Sequence, residues 1–255
     1  MPSALFADPW PLLLAVLAVF FLAGVVKGVV GLGLPTIAMA LLALLMAPSR
    51  AAALLVVPSL VTNVWQLRPW GSLGPMLRRL WTMQVGVLAG TLAGAWWLGA
   101  PSGSWAKVAL GAMLVVYGGW ALSGARLSVA RRAEHPLGLA TGALTGAITA
   151  ATGVFTVPAV PFLQALGLER DELIQAMGIS FTVSTVALGL GLCLNGHYAA
   201  ADAWTSMLML APALLGMAAG TWLRGRLSPA VFRICFLLGL IALGVEMIVR
   251  EALRG

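Results

Sequence analysis

The most unusual chemistry in the sequence gathers around one lysine. Lys27 lies in the stretch Gly24-Val-Val-Lys27-Gly28-Val-Val-Gly31-Leu-Gly33-Leu-Pro35, which is otherwise apolar. A lysine at the centre of a membrane span costs about 2.5–3.5 kcal/mol on insertion scales. At such a position it is either a functional cation or a side chain snorkelling from a helix end. The glycines and Pro35 predict an interrupted helix, because glycine weakens a helix and proline removes a bond donor. An interruption at membrane depth needs protein or water to satisfy its backbone, and half-helix N-termini with free N–H groups suit an anion. The same glycines also fit close packing between helices. They do not form a nucleotide loop, since no strand precedes them and no acidic residue follows at the required distance.

A second polar group follows. Ser59, Thr62, Asn63 and Gln66 progress as i, i+3, i+4, i+7, which puts four polar side chains on one helix face. Gln175, Ser180, Thr182, Ser184 and Thr185 make a looser counterpart later in the chain. Such residues either glue helices together or line a pathway, and the two amides are the costlier to bury. Thr36 follows the first break, and Thr149, Thr152, Gly153 and Thr156 surround a second one, where hydroxyls could meet an oxyanion or simply pack. Arg170, among Glu169, Asp171 and Glu172, reads as a solvated ion-pair cluster. Glu246, four residues before Arg250, reads as an i, i+4 pair. His135 and His197 are not spaced for metal, and no cofactor is expected. Cys193 and Cys235 lie far apart in apolar segments and read as small buried hydrophobes.

The elements that must position these residues are set by composition. Of 255 residues, 61% are hydrophobic and only 9% charged, where a soluble domain carries about 25% charge. So few charges cannot clothe a water-facing surface. A soluble enzyme and a disordered chain are both excluded, and a lipid bilayer is the expected surrounding. The net charge of +7 comes in short arginine clusters between apolar runs, as in cytoplasmic loops, and does not point to nucleic acid. Ten continuous apolar segments are predicted, at about 10–30, 34–47, 51–67, 81–98, 105–122, 137–151, 153–166, 173–194, 203–222 and 231–249. The first is read as a retained span, since no basic residue precedes it and no cleavage pattern follows. Continuous rather than alternating runs argue for helices and against a β-barrel. Segments 34–47 and 153–166 are too short for a straight crossing at about 1.5 Å per residue, so they are candidates for half-helices or re-entrant arms.

The two sets of five segments resemble each other. Gly24 and Gly28 return as Gly142 and Gly146, Arg50 as Arg170, and an ungapped stretch pairs Gly90, Gly94 and Gly99 with Gly216, Gly220 and Gly225. Residues 1–123 form the first repeat, 124–136 a basic cytoplasmic linker, and 137–255 the second repeat. Arg68, Arg78 and Arg79 mark the loop after the third segment, whereas its counterpart near 195–202 has no basic residue; Arg224 and Arg226 mark the loop whose counterpart, 99–104, has none. If basic loops face the cytoplasm, the repeats are inverted, a recurring plan of secondary transporters. Arg250 and Arg254 at the C-terminus would then face outward, against the trend. The expected fold is all-α and integral to the membrane, with two inverted repeats broken at the glycine motifs.

The stretches Gly28-Val-Val-Gly31-Leu-Gly33-Leu-Pro35 and Ala52-Ala-Leu-Leu-Val-Val-Pro58-Ser59-Leu-Val-Thr62-Asn63 resemble the TauE/SafE family of sulfite and organosulfonate permeases. The later stretches Gly142-Ala-Leu-Thr-Gly146-Ala-Ile-Thr149-Ala-Ala-Thr-Gly153 and Ala176-Met-Gly178-Ile-Ser180-Phe-Thr182 echo them. The resemblance implies a transporter of small sulfur-containing or carboxylated anions, such as sulfite, organosulfonates or short carboxylates, in a bacterial plasma membrane. A coupling proton or sodium ion and a homodimer stay open. Lys27 would attract the anion. Thr36, Asn63 and Thr149 would bind it beside the breaks at 28–35 and 146–153, and rocking of one repeat against the other would give alternating access. Two other classes compete. A scaffold protein would tolerate leucine at Lys27 and Asn63. An intramembrane enzyme would need a nucleophile and base or a metal cluster, and the sequence offers no such motif.

Overall fold

A computed structural model describes residues 9–31, 33–125, 127–226 and 228–253. Every regular element among them is helical. The first half contains α1 (Pro9–Val30), α2 (Leu34–Leu45), α3 (Pro48–Trp65), α4 (Leu73–Leu98) and α5 (Gly103–Ser123). The second contains α6 (Glu134–Thr152), α7 (Ala159–Ala165), α8 (Arg170–Leu194), α9 (Ala200–Arg224) and α10 (Pro229–Ala252). Five of these, α1, α5, α8, α9 and α10, are long and apolar enough to cross a membrane, and α3 meets α4 at a bend of 92°. The ten expected segments therefore exist, with two adjustments. Helix α4 starts well before residue 81 and carries Arg78 and Arg79 in its first turns, while α7 is only seven residues long.

The breaks are narrower than the motifs that announced them. Gly28 is helical, and the first interruption falls between the end of α1 at Val30 and the start of α2 at Leu34; Gly146 and Gly153 differ likewise, since α6 continues to Thr152 and α7 starts at Ala159. Gly33 (φ 108°) and Gly153 (φ 70°) adopt left-handed backbone that a side chain would disfavour. Gly31 (φ 86°) also bends, whereas Gly24, Gly28, Gly142 and Gly146 pack helices together. A Cβ on Gly28 would sit 2.7 Å from the Thr221 nitrogen and 2.9 Å from the Gly220 Cα, and one on Gly90 would sit 2.9 Å from the Ala143 Cα. Helix α1 is thereby pressed against α9, and α4 against α6. The remaining large contacts are α5 with α10, α3 with α8, α3 with α9 and α4 with α8. Each half thus packs mainly on the other.

The helix ends collect into two groups. At one, Arg79 clasps Glu134 at 2.6 Å and donates to the Leu166 carbonyl, Gln175 donates to the carbonyls of Leu67 and Pro69, and the Val129 nitrogen bonds the Ala165 carbonyl. At the other, Asn195 donates to the Ala95 carbonyl at 3.0 Å, and Lys107 meets Glu251 at 3.4 Å. Arg68, Arg78, Arg79, Arg131, Arg132, Arg170, Arg224, Arg226 and Arg233 belong to the first end, and Arg50, Lys107 and Arg250 to the second. Exposed tryptophans mark both ends, Trp65, Trp70 and Trp222 at the basic end and Trp10, Trp96 and Trp97 opposite, as expected of side chains that settle at membrane interfaces.

Cys193 and Cys235 are exposed, contrary to the buried positions expected of them. Outer helix faces in an apolar surrounding accept a thiol as readily as a core does. Arg254 lies outside the described residues.

Candidate functional site

Lys27 occupies the last turn of α1 and is only 3% exposed. Its ammonium donates to Thr62 Oγ1 at 3.0 Å and to Asn63 Oδ1 at 2.5 Å, both on α3. The Asn63 amide in turn donates to Thr185 Oγ1 on α8 at 3.4 Å. No carboxylate pairs with Lys27 among the described residues. The i, i+3, i+4 spacing of Ser59, Thr62 and Asn63 turns one face of α3 inward, and all three are buried. Gln66, one turn further, donates to the carbonyl of Gly31 at 2.5 Å and so fastens the first break to the end of α3.

Four buried hydroxyls have no partner among the described residues: Thr36 on α2, Ser59 on α3, Thr156 in the second break and Ser184 on α8. Ser59 is one turn from Asn63, and Ser184 adjoins Thr185, so the Asn63–Thr185 bond holds both near the α3–α8 crossing. The other two follow similar short stretches of sequence. Gly33-Leu-Pro35-Thr36 and Gly153-Val-Phe-Thr156 are separated by 120 residues, as are Arg50 and Arg170. In both, a glycine with positive φ is followed three residues later by a threonine that is buried and unbonded. The second break packs on α2, since a Cβ on Gly153 would lie 2.9 Å from the Met39 methyl. Pro35 sits in the first turn of α2, where its missing N–H costs nothing.

Other expected site residues are placed differently. Thr149 and Thr152 donate to the Thr145 and Ile148 carbonyls of their own helix at 2.7 Å, and Thr152 accepts from the Val154 nitrogen, so these hydroxyls finish the end of α6. Thr182 donates to the Gly178 carbonyl. Gln175 secures the α3–α4 corner through Leu67, Pro69 and Ser72. Ser180 accepts from Gln84 at 3.0 Å and joins α8 to α4. Arg170 forms no ion pair among the described residues; Glu172 instead caps α8 by accepting from the Glu169 nitrogen. Glu246 does meet Arg250, at 3.6 Å. Among the described residues no group of histidines, cysteines and acids could hold a metal ion.

Sequence reasoning passed over Gln84 and Ser206. Ser206 of α9 accepts from the Val57 nitrogen at 3.0 Å and donates to the Leu54 carbonyl at 2.8 Å. The signal for it was Pro58, which cannot donate to Leu54 and therefore calls for a substitute.

Among the described residues, Lys27 is thus a buried cation bonded to Thr62 and Asn63 with no carboxylate partner. A family model described as sulfite exporter TauE/SafE matches residues 16–247. The chain belongs to the TauE/SafE family. This membership, with the apolar helices, makes it a multi-pass membrane protein of a transporter family. Comparison with curated proteins and with solved structures returned no match.

Proposed function

We propose that this TauE/SafE protein is a secondary transporter of small anions, such as sulfite, organosulfonates or short carboxylates, in a bacterial plasma membrane. The observation that carries the reading is Lys27. A buried ammonium without a carboxylate is expensive, and a substrate anion is the natural counter-charge. Thr36, Ser59, Thr156 and Ser184 would supply the hydroxyl donors such an anion needs, and Asn63 would orient the lysine.

Alternating access between inverted repeats is the mechanism we infer. Its support is the exchange of packing partners: α1 with α9 answers α6 with α4, and α3 with α9 answers α8 with α4. The position of the breaks also favours it. Gly31 bonds to the end of α3 at the basic end, whereas Ala150, just before the second break, lines a small cavity with Gly99 and Asn195 at the other. The basic end would face the cytoplasm. Because glycine crossings tie α1 to α9 and α4 to α6, the bodies that rock would each draw on both repeats.

The test is flux in proteoliposomes with radiolabelled sulfite, a short sulfonate and a short carboxylate, for wild type and Lys27→Leu. A unit charge about 4 Å from an anion is worth about 4 kcal/mol at an effective dielectric near 20. Flux of the transported anion should therefore fall at least a hundredfold in folded Lys27→Leu protein, while Lys27→Arg retains part of it. Unchanged flux in Lys27→Leu would remove the lysine from the site. No flux of any anion under proton or sodium gradients would refute the transporter reading.

A further inference from the structure

Three arginines that the central site does not use line one cavity at the basic end. Arg170 opens α8, Arg224 closes α9 and Arg233 lies in the second turn of α10. They border a cavity of about 240 Å³ that also touches Gln164, Trp120 and Gly31. A second cavity, of about 490 Å³, adjoins it and shares Gln164, Trp120 and Arg233. Arg233 donates to the Ala121 carbonyl at 3.2 Å, and no carboxylate pairs with any of the three among the described residues. Glu169, Asp171 and Glu172 flank Arg170 in sequence without pairing with it; guanidinium groups left unpaired in a concave, partly apolar wall attract an anion, and their planar donors fit two oxygens of an oxyanion at once.

We propose that this cavity is a second anion site, a vestibule that binds a sulfonate-, sulfite- or phosphate-like oxyanion group independently of Lys27. Its position gives it a use. Gly31 forms part of the wall, and the Gly31 carbonyl bonds to Gln66, one turn beyond Asn63. An anion held by the arginines therefore waits beside the first helix break, where the Gly31 nitrogen bonds the Lys27 carbonyl. The oxyanion group has two sources, a dissolved anion or the headgroup of an anionic lipid, and Trp120 in the wall is compatible with either. The vestibule adds a second position to the transport reading, but its binding needs no transport.

The experiment is equilibrium binding of radiolabelled sulfite to full-length protein in nanodiscs of zwitterionic lipid. Wild type, Lys27→Leu, Arg170→Gln/Arg233→Gln and the combination of all three are compared, with Arg226→Gln, whose guanidinium stacks on Trp222, as control. Lys27→Leu and Arg226→Gln protein should still bind sulfite, and the paired glutamines in the Lys27→Leu background should weaken that binding by roughly tenfold or more. If the occupant is a lipid headgroup, adding phosphatidylglycerol to the nanodisc will displace sulfite, and the paired glutamines will abolish that competition. The vestibule is refuted if Lys27→Leu alone removes all sulfite binding and phosphatidylglycerol has no effect. It is equally refuted if the paired glutamines change neither sulfite affinity nor lipid competition. Binding that persists in a protein without flux would sink the transport reading and leave the vestibule standing.

Discussion

Ser206 offers a quantitative check on how the central helix is held. Pro58 interrupts α3 from within, and without an N–H it leaves the Leu54 carbonyl unserved by its own helix. The Ser206 hydroxyl, fully buried on α9, serves that carbonyl at 2.8 Å and accepts from the Val57 nitrogen at 3.0 Å. Ser206→Ala removes both bonds and adds no bulk. Each orphaned backbone group costs roughly 1–3 kcal/mol, and interhelical bonds in membranes fall near the low end. The substitution should therefore destabilise the protein by about 2 kcal/mol. The decisive arm is Pro58→Ala, which returns an N–H to Leu54. In that background Ser206→Ala should cost only about half as much, a coupling of about 1 kcal/mol. Reversible unfolding in mixed detergent micelles, followed by tryptophan fluorescence, measures all four corners of the cycle. Equal costs of Ser206→Ala in both backgrounds would refute the argument that the serine replaces the missing proline donor.

Thr36→Val and Thr156→Val each remove a buried hydroxyl that no group among the described residues uses. Both should leave melting temperature unchanged or slightly raised while lowering anion flux, and a loss of stability would show a bond the geometry does not contain. Gly90→Leu must push α4 from α6 along their whole crossing, so it should cost more than 3 kcal/mol or prevent folding, whereas Gly119→Leu, with nothing within 4 Å, should stay within about 0.5 kcal/mol. Reporters fused between α8 and α9 should be periplasmic and reporters between α3 and α4 cytoplasmic; finding both cytoplasmic would overturn the inverted arrangement.

Most helices were legible because continuous apolar runs and the basic residues between them leave few alternatives. The polar face of α3 was legible for the same reason, since four residues at helical spacing declare it. The extent of the breaks was not. Gly28 and Gly146 are in glycine-rich strings with Gly31 and Gly153, and only the neighbouring helices decide which glycine packs and which one bends. Gly28 has Gly220 of α9 against it, while Gly31 has open space. Threonine was ambiguous in the same way. Thr152 bonds back to its own helix, but Thr156, outside the helix, has no carbonyl four residues behind it to serve. The arginine cavity draws on α8, α9 and α10 and was invisible to any local pattern.

The crossing of α1 with α9 has a consequence for how the protein is made. Nearly two hundred residues separate Gly24 from its partner Ala213 and neighbour Met217. During synthesis α1 enters the bilayer with its glycine face open, and α4 waits in the same condition for α6. Late-arriving partners of this kind make folding slow and leave partly built chains exposed to wrong associations. A ribosome that stalls before α9 emerges would leave α1 without a docking surface, so quality control should clear such chains even though every helix in them has been inserted.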